Sequence, residues 1–220
     1  IDVELTASTR VGVHKYKFPS TKEANIIIDL QHRDPVLDSW IEVVNDHEIR
    51  GYRRSSSWAA DQTLYFYAKF SKPFKSYGLV GDDKLEAGQK KLQGKNIKMY
   101  VRFDNPGEVI AKVGISSVSA EGALKNLDTE VPDFDFKKVM RDAKALWVDQ
   151  LAKIEVEGGA PTGSANQIPQ NTQDPSIGYD SRNAPRRSSA PKKKQPQVDY
   201  VKQKHTIFYT ALYHSMLAPN

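Results

Sequence analysis

A change of period is the feature that most constrains what this 220-residue chain can fold into. From Ile1 to about Ser119 the apolar residues alternate; after Pro132 they fall at three- and four-residue steps. In IKMYVRF, Ile97, Met99, Val101 and Phe103 share one face and Lys98, Tyr100 and Arg102 the other. QTLYFYAKF opposes Leu64, Phe66, Ala68 and Phe70 to Tyr65, Tyr67 and Lys69. ANIIIDLQ, SWIEVV and EVIAKVGISSV are further strand-like runs, the last bounded by Pro106-Gly107 and Glu121-Gly122. Strands in succession, with turns but no helices between them, predict an antiparallel β-sandwich rather than a parallel βαβ sheet.

The second period predicts a helix in DFDFKKVMRDAKALWVDQLAKI, with Phe136, Val139, Met140, Ala143, Leu146, Trp147, Leu151 and Ile154 on one face. Asp133 or Asp135 caps its start, where a carboxylate meets the positive end of the helix dipole, and the helix ends near Lys153. From Ala160 to about Val201 the composition turns to Pro, Ser, Asn and Gln, with six of the twelve prolines. Such a stretch buries too little apolar surface to offset the entropy of ordering it, so a flexible loop or linker is expected. The helical pattern resumes at Ile207, with Phe208, Ala211, Leu212 and Ser215 on one stripe, in an aromatic-rich helix that stops as soon as it has begun.

Charge and composition remove several functions. The net charge of +5 is concentrated between Ala160 and Lys204, and outside that stretch 24 basic residues face 24 acidic ones. A basic face for nucleic acid is therefore not expected. With no cysteine, disulfides, thiolate metal sites and thiol nucleophiles are all excluded. No apolar run approaches the roughly 20 residues that span a bilayer. IDVELTASTR resembles a strand already under way, which fits a processed or truncated start better than a signal peptide.

The candidate chemical groups are sparse. His14, His32, His47, His205 and His214 show no metal-ligand spacing, and His32-Arg33-Asp34 lacks the other elements of a kinase site. Arg53-Arg54-Ser55-Ser56-Ser57-Trp58 combines guanidinium groups, hydroxyls and an indole, the ingredients of a carbohydrate platform. The favoured assignment of Trp58 is nevertheless a core anchor leading into the next strand. Arg186-Arg187-Ser188-Ser189 and Lys192-Lys193-Lys194 form a basic, proline-flanked segment, either a solvated loop or a docking site for an anionic or phosphorylation-dependent partner. The carboxylate pairs Asp133/Asp135 and Asp82/Asp83 are assigned to a helix cap and a turn rather than to glycoside hydrolysis, which needs two carboxylates across one bond.

Six blocks nevertheless occur in a meaningful order: ELTASTRVGVHKYKFP, NIIIDL, IRGYRRSSSWAADQTLYFYAKFSKPF, VGISSVSAEGALKNLDTEVPDFDF, LWVDQLAKIEVEGG and FYTALYHSMLAPN. Together they resemble glycoside hydrolase family 92, the calcium-dependent exo-acting α-mannosidases. The resemblance implies an N-terminal β-sandwich (1–130, N-terminally incomplete), a linking helix (131–159) and the first helix of an (α/α)6 barrel (204–220); the basic Pro-rich loop or insertion between them (160–203) departs from the family's pattern. It also implies inverting hydrolysis of terminal α-mannose from glycans, calcium as the metal of the full-length protein, and a secreted, periplasmic or cell-surface location. The acid, the base and the calcium ligands are expected beyond Asn220, and part of the sandwich before Ile1. No catalytic, cofactor-binding or metal residue is thus assigned within 1–220, and the partners expected are a mannose-containing glycan and the remainder of the same polypeptide. The competing expectation is a non-enzymatic β-sandwich that recruits a partner through its basic segment.

Overall fold

A computed structural model describes residues 1–156 and 200–217. Its strands are β1 (Asp2–Ala7), β2 (Val11–Lys17), β3 (Ala24–Asp29), β4 (Val36–Asn45), β5 (Glu48–Ser55), β6 (Gln62–Phe70), β7 (Ser76–Gly81), β8 (Lys84–Glu86), β9 (Lys91–Gly94), β10 (Ile97–Phe103) and β11 (Glu108–Ser116). The helices are α1 (Ala120–Glu130), α2 (Phe136–Leu151) and α3 (Tyr200–Leu217). All strand pairs are antiparallel and form two sheets, one ordered β1-β2-β11-β6-β5-β4-β9 and the other β3-β10-β7-β8. The expected antiparallel sandwich followed by helices is thus the observed fold.

The sheets meet as their alternation dictates. Every second residue of β10, from Ile97 to Phe103, is buried, and its neighbours are half-exposed. Opposite lie Ile41 and Val43 of β4, Ile49 of β5, Ala68 and Phe70 of β6, and Val109 and Ala111 of β11. Phe70, Phe74 and Phe103 form an aromatic triangle with centroids 5.8 to 6.4 Å apart, the tilted and edge-on spacing that ring quadrupoles favour. Burying each such ring contributes about 1.5–3 kcal/mol. The β7–β8 hairpin turns on Asp82 and Asp83, both at positive φ (49° and 61°), as a two-residue turn matched to strand twist requires.

The outer face of the larger sheet carries a second core that the alternation did not announce. Val11 and Val13 of β2 pack there with Leu127, Val131, Phe136 and Val139. Tyr67, on the polar face of β6 by sequence, is buried, and its hydroxyl donates to Glu48 at 2.7 Å. Helix α1, read in the sequence as the end of the strand region, begins at Ser119, whose hydroxyl accepts from the Gly122 amide at 3.0 Å. It settles closely because β11 presents Gly114: a Cβ there would overlap the Ala123 carbonyl and lie 2.7 Å from the Leu127 Cβ. Helix α2 starts at the expected cap, with the Lys138 amide donating to Asp135 at 2.9 Å.

The chain divides into two compact units, 1–147 and 148–220. Within the second, α3 begins at Tyr200, seven residues before the point where the apolar pattern resumes. Its half-buried stripe is Val201, His205, Phe208 and Leu212 with Tyr209 and Tyr213, whereas Ala211 and Ser215, placed on that stripe by sequence, are exposed. The Tyr209 hydroxyl donates to the Ile154 carbonyl at 3.1 Å, which turns the aromatic side of α3 inward.

Candidate site at one end of the sandwich

Strand pairing gathers several loops at one end of the larger sheet. The β5–β6 hairpin leaves from the Ser55–Gln62 pair, the β3–β4 loop enters at Val36 opposite Ser55, and β11 ends at Ser116 opposite Tyr65. Trp58 stands on that hairpin and is 96% exposed. The core-anchor assignment is therefore wrong. Residues 56–61 lie outside the ladder, so their side chains have no inner face to enter. The sequence signal was there, since Ser55-Ser56-Ser57 is poor strand material and marks a turn.

The flanking arginines stiffen this end. From Arg53, Nε donates to the Leu30 carbonyl (2.9 Å) and Nη2 to those of His32 (3.1 Å) and Asp34 (2.8 Å), pinning a loop in which Arg33 sits at φ 74°. Arg54 grips Asp61 across the hairpin neck, at 2.8 Å from Nε and 2.5 Å from Nη2. That pair holds the Asp61 carboxyl below its ordinary range. Asp38 beside it is also held low, first by the hydrogen bond from the Tyr52 hydroxyl, whose own pKa is pushed up to about 12. An exposed indole on a braced hairpin has the form of an apolar stacking surface.

A cleft of about 660 Å³ opens at the same end, lined among others by Leu64, Ile115, Val118, Lys125 and Asn126. Its volume is that of a small-ligand site, yet no carboxylate is among the described residues lining it. It offers apolar surface, a guanidinium, an ammonium, an amide and hydroxyls.

The remaining candidates are dispersed. Asp135 caps α2, and the cleft it shares with Asp133 and Glu130 holds only about 30 Å³, room for a single water rather than a sugar. Asp82 accepts from Asn96 at 2.9 Å and Asp83 pairs with Lys98 at 3.4 Å, both in the β7–β8 turn region. His14 lies half-buried against the Tyr16 hydroxyl (2.9 Å), and burial lowers its pKa. His47 pairs with Asp46 at 2.8 Å. His32 is exposed in the pinned loop, and His205 and His214 lie on α3. Among the described residues no group of His, Asp and Glu is arranged to hold a metal ion. The basic segment 186–194, on which the competing binding-protein expectation rests, lies outside the described residues.

This end of the sandwich thus presents an exposed indole on a braced hairpin beside a cleft lined by apolar and cationic groups. The family is set by sequence: the Glycosyl hydrolase family 92 N-terminal domain matches residues 1–116 and the family's catalytic domain residues 122–168, so this chain belongs to glycosyl hydrolase family 92. Solved structures agree. A family GH92 α-mannosidase from Bacteroides thetaiotaomicron superposes with a TM-score of 0.66 at 28% identity, over 71% of this chain and 23% of that one. It has also been solved in complex with mannoimidazole. A family GH92 inverting mannosidase from Bacteroides thetaiotaomicron VPI-5482 gives 0.63 at 25% identity, over 71% and 21%. A curated relative named as an uncharacterized secreted glycosidase, from Arthroderma benhamiae, is 32% identical over 68 residues, 30% of this chain and 9% of its own length. The chain thus spans less than a quarter of the length of these relatives.

Proposed function

We propose that this chain is the sandwich-bearing portion of a secreted glycosidase that removes terminal α-linked mannose from glycans by calcium-dependent, inverting hydrolysis. Its role is to wall and support an active site whose acid, base and calcium ligands lie on other parts of the polypeptide. The observation that carries this reading is the pair of family matches, residues 1–116 and 122–168, with mannosidases as structural neighbours. Helix α3 is assigned to the start of a helical barrel, and the chain is divided at 1–130, 131–159, 160–203 and 204–220. Secretion is supported by the curated relative's name, and no described helix is long and apolar enough to cross a membrane.

The larger sheet supports the need for the rest of the polypeptide. Val3 and Leu5 of β1 pair with Tyr16 and His14 of β2, so all four share the face that β11 and β6 turn into the core. Yet Val3 and Leu5 are 51% and 67% exposed, and a cavity of about 240 Å³ opens between Tyr16 and His14 and the strand β3. Among the described residues, strand β3 itself pairs on one side alone. An open edge beside uncovered apolar surface is an arrangement that native proteins cover.

Trp58 is assigned as the sandwich's contact to the glycan. The test is mannose release from an α-mannosyl-terminated oligosaccharide by the full-length protein, with and without a calcium chelator, beside the Trp58→Ala variant. Release that the chelator abolishes, with KM raised by about tenfold in the variant, is expected for loss of one aromatic–sugar contact. Unchanged release in chelator removes the calcium assignment, and an unchanged KM removes that of Trp58.

A further inference from the structure

Helix α1 carries the wrong charges at its end. Its last turn holds Asp128 and Glu130 and no basic residue, although the C-terminus of a helix dipole favours cations. The sheet and the turn between β1 and β2 supply what the helix lacks. Lys69 of β6 pairs with Asp128 at 2.8 Å. Glu130 takes the Ser8 hydroxyl at 2.6 Å, and the Arg10 amide and guanidinium at 2.9 and 2.6 Å. The third cation is Lys112 of β11, 1% exposed between sheet and helix.

Among the described residues Lys112 pairs with no carboxylate. Its Nζ donates to the carbonyls of Val131 (2.7 Å) and Pro132 (2.9 Å), at the place where α1 has ended and α2 has not begun, and lies 4.5 Å from the Phe134 ring centroid. Two residues on, the Phe136 ring packs under the ammonium of Lys15, 4.9 Å from its centroid. A buried ammonium is costly unless its donors are used, and here two carbonyls and a ring face account for them. Burial first, and then the nearby Lys69, hold the Lys112 pKa below the usual lysine range. An apolar residue would fill this space at less desolvation cost, but it would leave two carbonyls unpaired and the turn 131–135 free to choose its direction.

Resting on the mannosidase reading above, we propose that Lys112 is a positioning residue: its ammonium, closed on the Val131 and Pro132 carbonyls beneath Phe134, fixes the direction in which α2 leaves the sandwich. The joint falls between two matched regions, since Lys112 lies in the N-terminal match and Val131 and Pro132 in the catalytic one. Lys112 transmits the orientation of the sandwich to the first helices of the catalytic region, without contact to substrate.

The experiment uses the full-length protein with Lys112→Met, which keeps an unbranched apolar side chain and removes the donors, and Phe134→Ala, which removes only the ring. Hydrogen exchange is followed over 131–139 and, as an internal control, over the core strand 97–103, beside kcat, KM and thermal midpoint on a chromogenic α-mannoside. Lys112→Met is expected to speed exchange over 131–139 by about tenfold or more and to lower kcat by about tenfold with little change in KM, leaving 97–103 unaffected. Phe134→Ala is expected to show the same pattern more weakly. Unchanged exchange over 131–139 overturns the proposal. So does faster exchange in both segments together with a lowered midpoint, which marks a general packing role, or local loosening with kcat intact. Should the wild-type protein leave α-mannosides uncleaved, the functional reading fails on its own, and the exchange contrast still decides whether Lys112 holds the joint.

Discussion

The two faces of the larger sheet are covered in different ways. The inner face is held by area: alternate apolar residues of β4, β5, β6, β10 and β11 interlock around the Phe70–Phe74–Phe103 triangle. The outer face has a small apolar core, and a few aimed polar groups place the helices on it: Ser119, Lys69, Arg10 with Ser8, and Lys112. Burial area tolerates imprecision and gives stability, whereas directed hydrogen bonds add modestly to stability and strongly to orientation. A face built from hydrogen bonds suits a boundary at which geometry must be passed on.

That contrast sets an order of effects. Phe103→Ala, at 1% exposure in the inner core, is expected to cost about 3–5 kcal/mol and to lower the denaturation midpoint of the whole sandwich. Gly114→Ala drives a methyl into the Ala123 carbonyl and is expected to cost about 1–3 kcal/mol. Its loss of exchange protection should be confined to α1 and α2, and equal loss in β10 would erase the distinction between the faces.

Glu130→Gln is expected to cost about 1–2 kcal/mol by weakening the anchor to Ser8 and Arg10. Burial raises the Glu130 carboxyl, but the hydrogen bonds from Ser8 and Arg10 outweigh it, so the folded pKa lies below the ordinary value. Its contribution is therefore fully present above the unfolded glutamate pKa and is lost as pH falls through the lower, folded one. An acid titration of stability should lose that component in Glu130→Gln, and identical profiles for the two proteins would remove the anchor. Trp58→Ala, fully exposed, is expected to change stability by no more than about 0.5 kcal/mol, and a larger loss would return Trp58 to a structural role.

The same contrast explains how far the sequence could be read. Period-two alternation registers area, so the inner core was legible residue by residue from Ile97 to Phe103, and the cap at Asp135 was legible because its chemistry is local. Helix α1 was hidden because Gly122, a turn signal by itself, sits inside the helix, and the spacing of Ala120, Ala123 and Leu127 is short and weakly apolar. Nothing in EVIAKVGISSV sets Lys112 apart from any other polar residue of a strand. Its partners are backbone carbonyls 19 and 20 residues away, which no side-chain pattern encodes. Trp58 failed for the opposite reason, since a large aromatic is buried more often than not and only the hairpin geometry exempts it.

The most direct test of the account follows the full-length protein by proton NMR as it acts on an α-mannoside, identifying the sugar released and its first anomer. The account predicts mannose that appears as the β-anomer and then mutarotates. Release of α-mannose first, or of no mannose at all, would contradict it.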